Sequence, residues 1–125
     1  MKLLDTSVAV DHLRGAKPAV DLLRSLVSAD ETVAASEIVR FELLAGVRVS
    51  EIDQLEQFFA AISWIQVDED IARAAGSLAR LQRRAYSGID DADYLIAATA
   101  IILDAELLTV NVRHFPMLEG LRPAY

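Results

Sequence analysis

Residues 91–104, DADYLIAATAIILD, carry apolar side chains on nearly every face of a helix. A helix with almost no polar side has to be surrounded, so this one is expected at the centre of the molecule. Its apolar run, 94–103, is too short to span a bilayer. The covering layers must therefore come from protein, and the rest of the chain shows what they are made of.

Short apolar runs alternate with longer helical patterns. KLL (2–4) reads as a strand ending at Asp5, and SVAVDHLRG (7–15) as a helix stopped by Gly15. Pro18 opens a second helix to about residue 27, close to the first-turn position that proline favours. TVAA (32–35) is a strand, and SEIVRFELLAG (36–46) is a helix with Ser36 as cap and Gly46 as terminator. A helix over 50–62 with Ser50 as cap, a strand WIQV (64–67) and an acid-started helix over 68–85 follow. YSGI is a loop, ELLTV (106–110) is a strand after the central helix, and a last short strand is expected near LRPAY (121–125). Strands separated by helices predict an α/β fold whose parallel sheet is covered on both sides. The 125 residues suit one domain, 1–125, with a single core.

The helix 36–46 contains an anomaly. Ile38, Val39, Phe41, Leu43 and Ala45 form a broad apolar arc, with Glu37, Arg40 and Leu44 opposite. Glu42 falls near the middle of that arc, where an unpaired carboxylate is costly. Three other polar residues occupy places where α/β folds build sites, at or beyond the carboxyl ends of strands. Asp5 ends the first strand, Asp93 lies in the first turn of the central helix, and Asn111 follows the strand LLTV. Carboxylates gathered without a cation repel one another and take up protons. A divalent metal resolves this, and magnesium typically takes one or two carboxylates, waters and substrate phosphates. Such an ion activates water and stabilises a phosphoryl transition state. Each residue also has a plainer reading: Asp5 as a helix cap, Asp93 as a first-turn acid, Asn111 as a turn residue, Glu42 as half of a buried ion pair.

Composition narrows the setting. The absence of cysteine excludes disulfides and thiolate zinc sites and points to a reducing, cytoplasmic compartment. The opening MKLLDTSV places an aspartate where a signal peptide needs an apolar run. A net charge of −7, with lysine only at positions 2 and 17, argues against broad nonspecific nucleic-acid binding. It leaves room for a nuclease whose site is compensated by metal, and for a basic protein partner. A hydrophobic fraction of 54% makes a buried dimer or partner surface plausible.

Taken in order, LLDTSV, SEIVRFELLAGV, DADYLIAATA and LLTVNVRHF followed by GL resemble the four signature segments of PIN domains. The set spans nearly the whole chain and looks most like the VapC toxins of bacterial type II toxin–antitoxin systems. The resemblance implies a three-layer α/β/α sandwich on a central parallel sheet. It also implies a Mg²⁺-dependent endoribonuclease, with Mn²⁺ able to substitute, that cuts structured RNA such as transfer or ribosomal RNA. It further implies a homodimer silenced by a VapB-type antitoxin. By motif, the catalytic positions fall on Asp5, Glu42, Asp93 and Asn111, with Asp5, Asp93 and Glu42 as the metal ligands. Many relatives carry aspartate where this chain has Asn111, which puts a tightly held second metal in doubt, and Asp90 or Asp91 could partly compensate. Thr6 and Ser7 would hold Asp5 or touch phosphate, and Arg113 and His114 would contact substrate phosphates.

Other surfaces are open to two readings. Arg73, Arg80 and Arg84 share one helix face, as an RNA stripe or a solvated face. Leu44, Val47, Phe58 and Phe59 are candidates for a dimer or antitoxin groove, with core packing as the default, and Trp64 reads as core. Competing classes meet specific obstacles. A phosphoryl-accepting receiver domain needs a late lysine, and none occurs beyond Lys17. A dinucleotide-binding enzyme needs a glycine-rich turn where this chain has DTSV. A PIN nuclease of RNA processing, or an inactive PIN binding module, remains compatible with the residues.

Overall fold

The computed structural model describes all residues 1–125. Four strands form one parallel sheet: β1 (Lys2–Leu4), β2 (Val33–Ser36), β3 (Ser63–Ile65) and β4 (Glu106–Leu108), in the order β3-β2-β1-β4. The register sets Lys2 against both Val33 and Glu106, and Ala34 against Ser63. Helices α1 (Thr6–Leu13) and α2 (Lys17–Ser28) join β1 to β2. Helices α3 (Glu37–Gly46) and α4 (Ile52–Ala60) join β2 to β3, and α5 (Glu69–Gln82) and α6 (Asp91–Leu103) join β3 to β4.

This order fixes the layers. The first two crossovers step along the sheet in one direction and the third returns past β1 to the opposite edge. Crossovers between parallel strands are right-handed, so reversing direction moves the helices to the other face. The result is an α/β/α sandwich. Leu3 and Leu4, adjacent in β1 and pointing to opposite faces, are both fully buried. The main core gathers β1, β2, β4, α1, α2, α3, α4 and α6, and a smaller cluster of Ile71, Ala75, Ala79, Tyr94 and Ala98 locks α5 onto α6. The central-helix expectation holds over 93–100, all buried except Leu95; Ile101 and Ile102 are exposed at the end of α6.

Several expectations are corrected. The apolar arc of α3 is not a buried face: Val39 and Leu43 are buried, Phe41 is 64% exposed and Glu42 is only half-buried. The helix docks by a narrow stripe, because Val39 and Leu43 lie four apart on one line. Ser36 does cap it, its hydroxyl accepting from the Ile38 N–H at 3.2 Å. Ser50 is not a cap. It sits inside a 3-10 turn (Val49–Glu51) that leads into α4. Phe58 and Phe59 are core residues, whereas Leu44 is exposed and Val47 half-buried. No strand forms near 121–125: Pro123 has no N–H to offer, and a single backbone bond, Ala124 N–H to the Thr109 carbonyl at 2.8 Å, ties the segment beside the end of β4. Strand β4 ends at Leu108, short of the expected 110; beyond it the Thr109 carbonyl accepts from the Ala124 N–H and its side chain bonds Asp5.

Candidate active site

The sheet order reverses direction between β1 and β4, and ligands of open α/β sheets bind outside the carboxyl ends of strands at such a switch point. Asp5 stands there at the end of β1 and is 5% exposed. Two hydroxyls donate to its Oδ2, Thr109 Oγ1 at 2.7 Å and Ser7 Oγ at 2.8 Å. Both bonds fall on one oxygen, so the carboxylate is fixed in orientation while Oδ1 stays available. The support continues outward: the Asn111 N–H donates to Thr109 Oγ1 at 2.9 Å and the Val110 N–H to Ser7 Oγ at 3.3 Å. Asp5 also begins α1, but its side chain makes no capping bond. Its carboxylate is committed to the cleft rather than to the helix.

Asp93, at the third position of α6, is 8% exposed. The Asp90 N–H donates to its Oδ2 at 3.1 Å, and His114 Nδ1 lies 3.5 Å from the same oxygen. Burial raises its pKa above the usual carboxylate range. The Asp90 N–H and His114 oppose that rise, and the charges of Asp5 and Asp90 add to it. Glu42 reaches the site from α3, with Oε1 accepting from Thr6 Oγ1 at 2.7 Å. No arginine pairs with it. The buried ion-pair reading is therefore set aside, and so is the deep burial that made Glu42 look anomalous.

These groups line one cleft of about 400 Å³. Asp5, Asp11, Glu42, Asp90 and Asp93 supply five carboxylates, Thr6, Ser7 and Asn111 add oxygen donors, and no lysine or arginine enters the lining. His114 is the one basic group in it. An oxygen-rich, acid-lined cleft without a fixed cation is the donor chemistry that suits a hard divalent ion. No three acidic or histidine side chains come together tightly enough to form a ready-made cage. The fit is thus to a hydrated ion held by one or two carboxylates, not to a closed protein site.

The other predicted positions are distributed as follows. Thr6, Ser7, Asn111 and His114 line the cleft, and Arg113 is exposed outside it. Of the two compensating acids, Asp90 lines the cleft, and Asp91 faces solvent in an ion pair with Arg83. Arg73 pairs with Glu69, and the α5 arginines stay away from the cleft. The Trp64 ring is half-buried, with the Arg40 guanidinium over one face at 4.1 Å and Phe59 perpendicular to it, so it packs at the edge of the core. Thr109 and Asp11 join the site without any sequence signal of their own. Thr109 lies inside the closing segment LLTVNVRHF, and its burial at 0% exposure marks it only once the fold is known.

Comparison with known proteins agrees with this fold. The family model described as PIN domain matches residues 2–118. "Ribonuclease VapC19" of Mycobacterium tuberculosis (strain H37Rv) is 62% identical over 125 residues, the full length of both chains. "Ribonuclease VapC10" of the same strain is 41% identical, covering all of this chain and 93% of the relative. Among solved structures, VapBC2 from Rickettsia felis bound to a DNA fragment from their promoter superposes with a TM-score of 0.80 at 26% identity, covering 96% of this chain and 94% of that one. A toxin–antitoxin complex from Klebsiella pneumoniae, at 24% identity and a TM-score of 0.79 over 100% and 98% of the two chains, shares the fold. No helix is long and apolar enough to cross a membrane. The chain belongs to the PIN-domain family as a VapC-type ribonuclease, the toxin of a toxin–antitoxin system.

Proposed function

We propose that the chain acts as one PIN domain, 1–125, in the cytoplasm, and that it is a Mg²⁺-dependent endoribonuclease, able to use Mn²⁺, that hydrolyses phosphodiester bonds of structured RNA such as transfer or ribosomal RNA. The observation that carries this reading is the pair of buried carboxylates, Asp5 and Asp93, facing one cleft with no lysine or arginine to neutralise them. When bound there, a divalent ion supplies charge neutralisation at the scissile phosphate and lowers the pKa of an attacking water. Asp5 and Asp93 would hold it, with Glu42 contributing through water. Ser7 and Thr109 keep the Asp5 carboxylate aimed, which spares the reorganisation a mobile ligand would require. Thr6 does the same for Glu42. Asn111 offers an amide oxygen without charge. His114 lines the cleft beside Asp93 and is the side chain placed to hydrogen-bond the reacting phosphate, and Arg113, outside the cleft, contacts a phosphate further along the strand.

The partner is a VapB-type antitoxin, a reading supported by the solved structures, which include VapBC complexes from Rickettsia felis and Salmonella typhimurium. The exposed apolar side chains Phe41, Leu44, Val49 and Ile52 are consistent with a homodimer or antitoxin contact. The test is to map new RNA 5′ ends in cells after induction of wild type, Asp5→Asn and Asp93→Asn. Cleavage that persists in both variants defeats the metal-site assignment.

A further inference from the structure

The acidic cleft is not closed on the side of α3. A second groove, of about 490 Å³, shares Val10 and Glu42 with it, so the two adjoin at Glu42. One side of it is apolar, built from Leu13, Leu43, Val47 and Leu55 of α1, α3, α4 and the turn between the last two, and Glu42, Glu51 and Gln54 line the rest. Arg14 and Arg48 stand at its mouth, both exposed. Most other basic side chains with a close acidic neighbour are occupied: Arg40 by Glu37, Arg73 by Glu69, Arg83 by Asp91, Lys17 by Asp21. Arg14 has no ion-pair partner, and Arg48 has only a 4.0 Å contact to Glu51, both side chains being more than half exposed. An exposed pair of that kind is worth little and yields readily to a phosphate.

A polynucleotide lying in the cleft must continue beyond the scissile phosphate. An apolar side beside the unpaired Arg14 and the weakly paired Arg48 matches a nucleoside flanked by phosphate, since base faces pack on apolar surface and Arg recognises phosphate through its planar fork. We infer that the groove between α1, α3 and α4 is the substrate subsite next to the scissile bond, with Arg14 and Arg48 as its phosphate contacts and Gly46 keeping it open. The inference rests on the ribonuclease reading and adds the direction in which the RNA strand leaves the site.

Gly46 makes the idea testable without damage to the fold. It lines the groove at the end of α3, and a Cβ built on it meets nothing within 4 Å. A large side chain there would occupy the groove instead of the core. The experiment measures binding of a fluorescein-labelled random-sequence oligoribonucleotide pool by anisotropy across a salt series, with Ca²⁺ replacing Mg²⁺ to slow hydrolysis. Arg14→Ala should weaken binding about tenfold, as loss of one charge-assisted hydrogen bond implies. It should also reduce the salt slope by about 0.7, the share of one phosphate contact on a single strand. Gly46→Trp should weaken binding at least as much while its melting temperature stays at or above that of wild type. Arg122→Ala, a charge-matched change in the segment beside β4, should bind as wild type does. Wild-type affinity in both Arg14→Ala and Gly46→Trp overturns the subsite, as does a wild-type protein that fails to bind the pool. Loss of antitoxin-peptide binding with RNA affinity intact would assign the groove to the protein partner instead. If wild type cleaves RNA in an Asp5-dependent way while the groove variants bind normally, only the subsite fails. If the groove variants lose RNA binding but no Asp5-dependent cleavage exists, the ribonuclease reading fails and the subsite with it, leaving the groove as an RNA-binding surface alone.

Discussion

Thr109 Oγ1 donates to Asp5 Oδ2 at 2.7 Å, joining the carboxyl ends of two neighbouring strands, β4 and β1, through side chains after their backbone ladder has ended. Both residues are buried, and Thr109 also accepts from the Asn111 N–H. Thr109→Val keeps the shape and removes the hydroxyl. It leaves a buried carboxylate with one fewer donor and an N–H without its acceptor. Hydrogen bonds to charged groups contribute about 1.5–3 kcal/mol. A loss of stability in that range, read by urea unfolding, is expected together with weaker Mn²⁺ binding by calorimetry. Unchanged Mn²⁺ affinity would mean that Thr109 supports the fold and not the ligand.

Asp93 is destabilised as a carboxylate, chiefly by burial, so its folded pKa is raised. A raised folded pKa means that the native state binds the proton more tightly than the unfolded chain does. Stability is then greatest below the ordinary carboxylate pKa and declines as pH rises towards the folded value. Asp93→Asn removes that penalty. In metal-free protein it should raise the melting temperature at neutral pH, with the gain shrinking as the solution is acidified. Divalent metal should stabilise wild type and not the variant. A variant that melts lower than wild type at neutral pH would show that the carboxylate is held favourably by His114 and the Asp90 N–H.

Glu42 is half-buried and its only hydrogen bond comes from Thr6. Glu42→Gln retains an acceptor for that hydroxyl, so the change in stability should stay within about 0.5 kcal/mol, the usual range for a site of this kind. RNA cleavage should fall well below wild type, because an amide lacks the charge that attracts the ion. Unfolding of the variant would show that the carboxylate itself ties α3 to α1 through Thr6, and full activity would remove Glu42 from the site.

Tyr94 offers a control on the far side of α6. Its ring is buried against Ala75 and Ala79 of α5, and its hydroxyl is buried without a partner. Removing an unsatisfied buried polar group relieves a cost of about 1–3 kcal/mol. Tyr94→Phe should therefore raise the melting temperature and leave RNA cleavage unchanged. A drop in stability would indicate that an ordered water serves the hydroxyl.

Most of the sheet was legible because parallel strands buried on both faces read as short apolar runs between helices, and Leu3–Leu4 is such a run. The acids were legible as well, because their chemistry and their place after strands do not depend on side-chain packing. Periodicity misled at α3: Phe41 and Ala45 carry the right pattern, yet the neighbouring elements bury only the line through Val39 and Leu43. A wheel records which residues are apolar, not how wide a contact the rest of the molecule supplies.

Chain order and residue type thus determined by themselves that this protein is an α/β layer structure with acids at the sheet's carboxyl edge. Local pattern suffices for that, since strand, helix and cap signals are written within a few residues of one another. Tertiary structure decided which acids face the same cleft, that Asp91 turns to Arg83 while Asp90 stays at the site, and that Thr109, 104 residues from Asp5 in sequence, holds its carboxylate. Such pairings depend on the strand order β3-β2-β1-β4, which brings the last strand beside the first. Only when that long-range register closes do two distant segments come within hydrogen-bond reach, and no local signal encodes the distance between them.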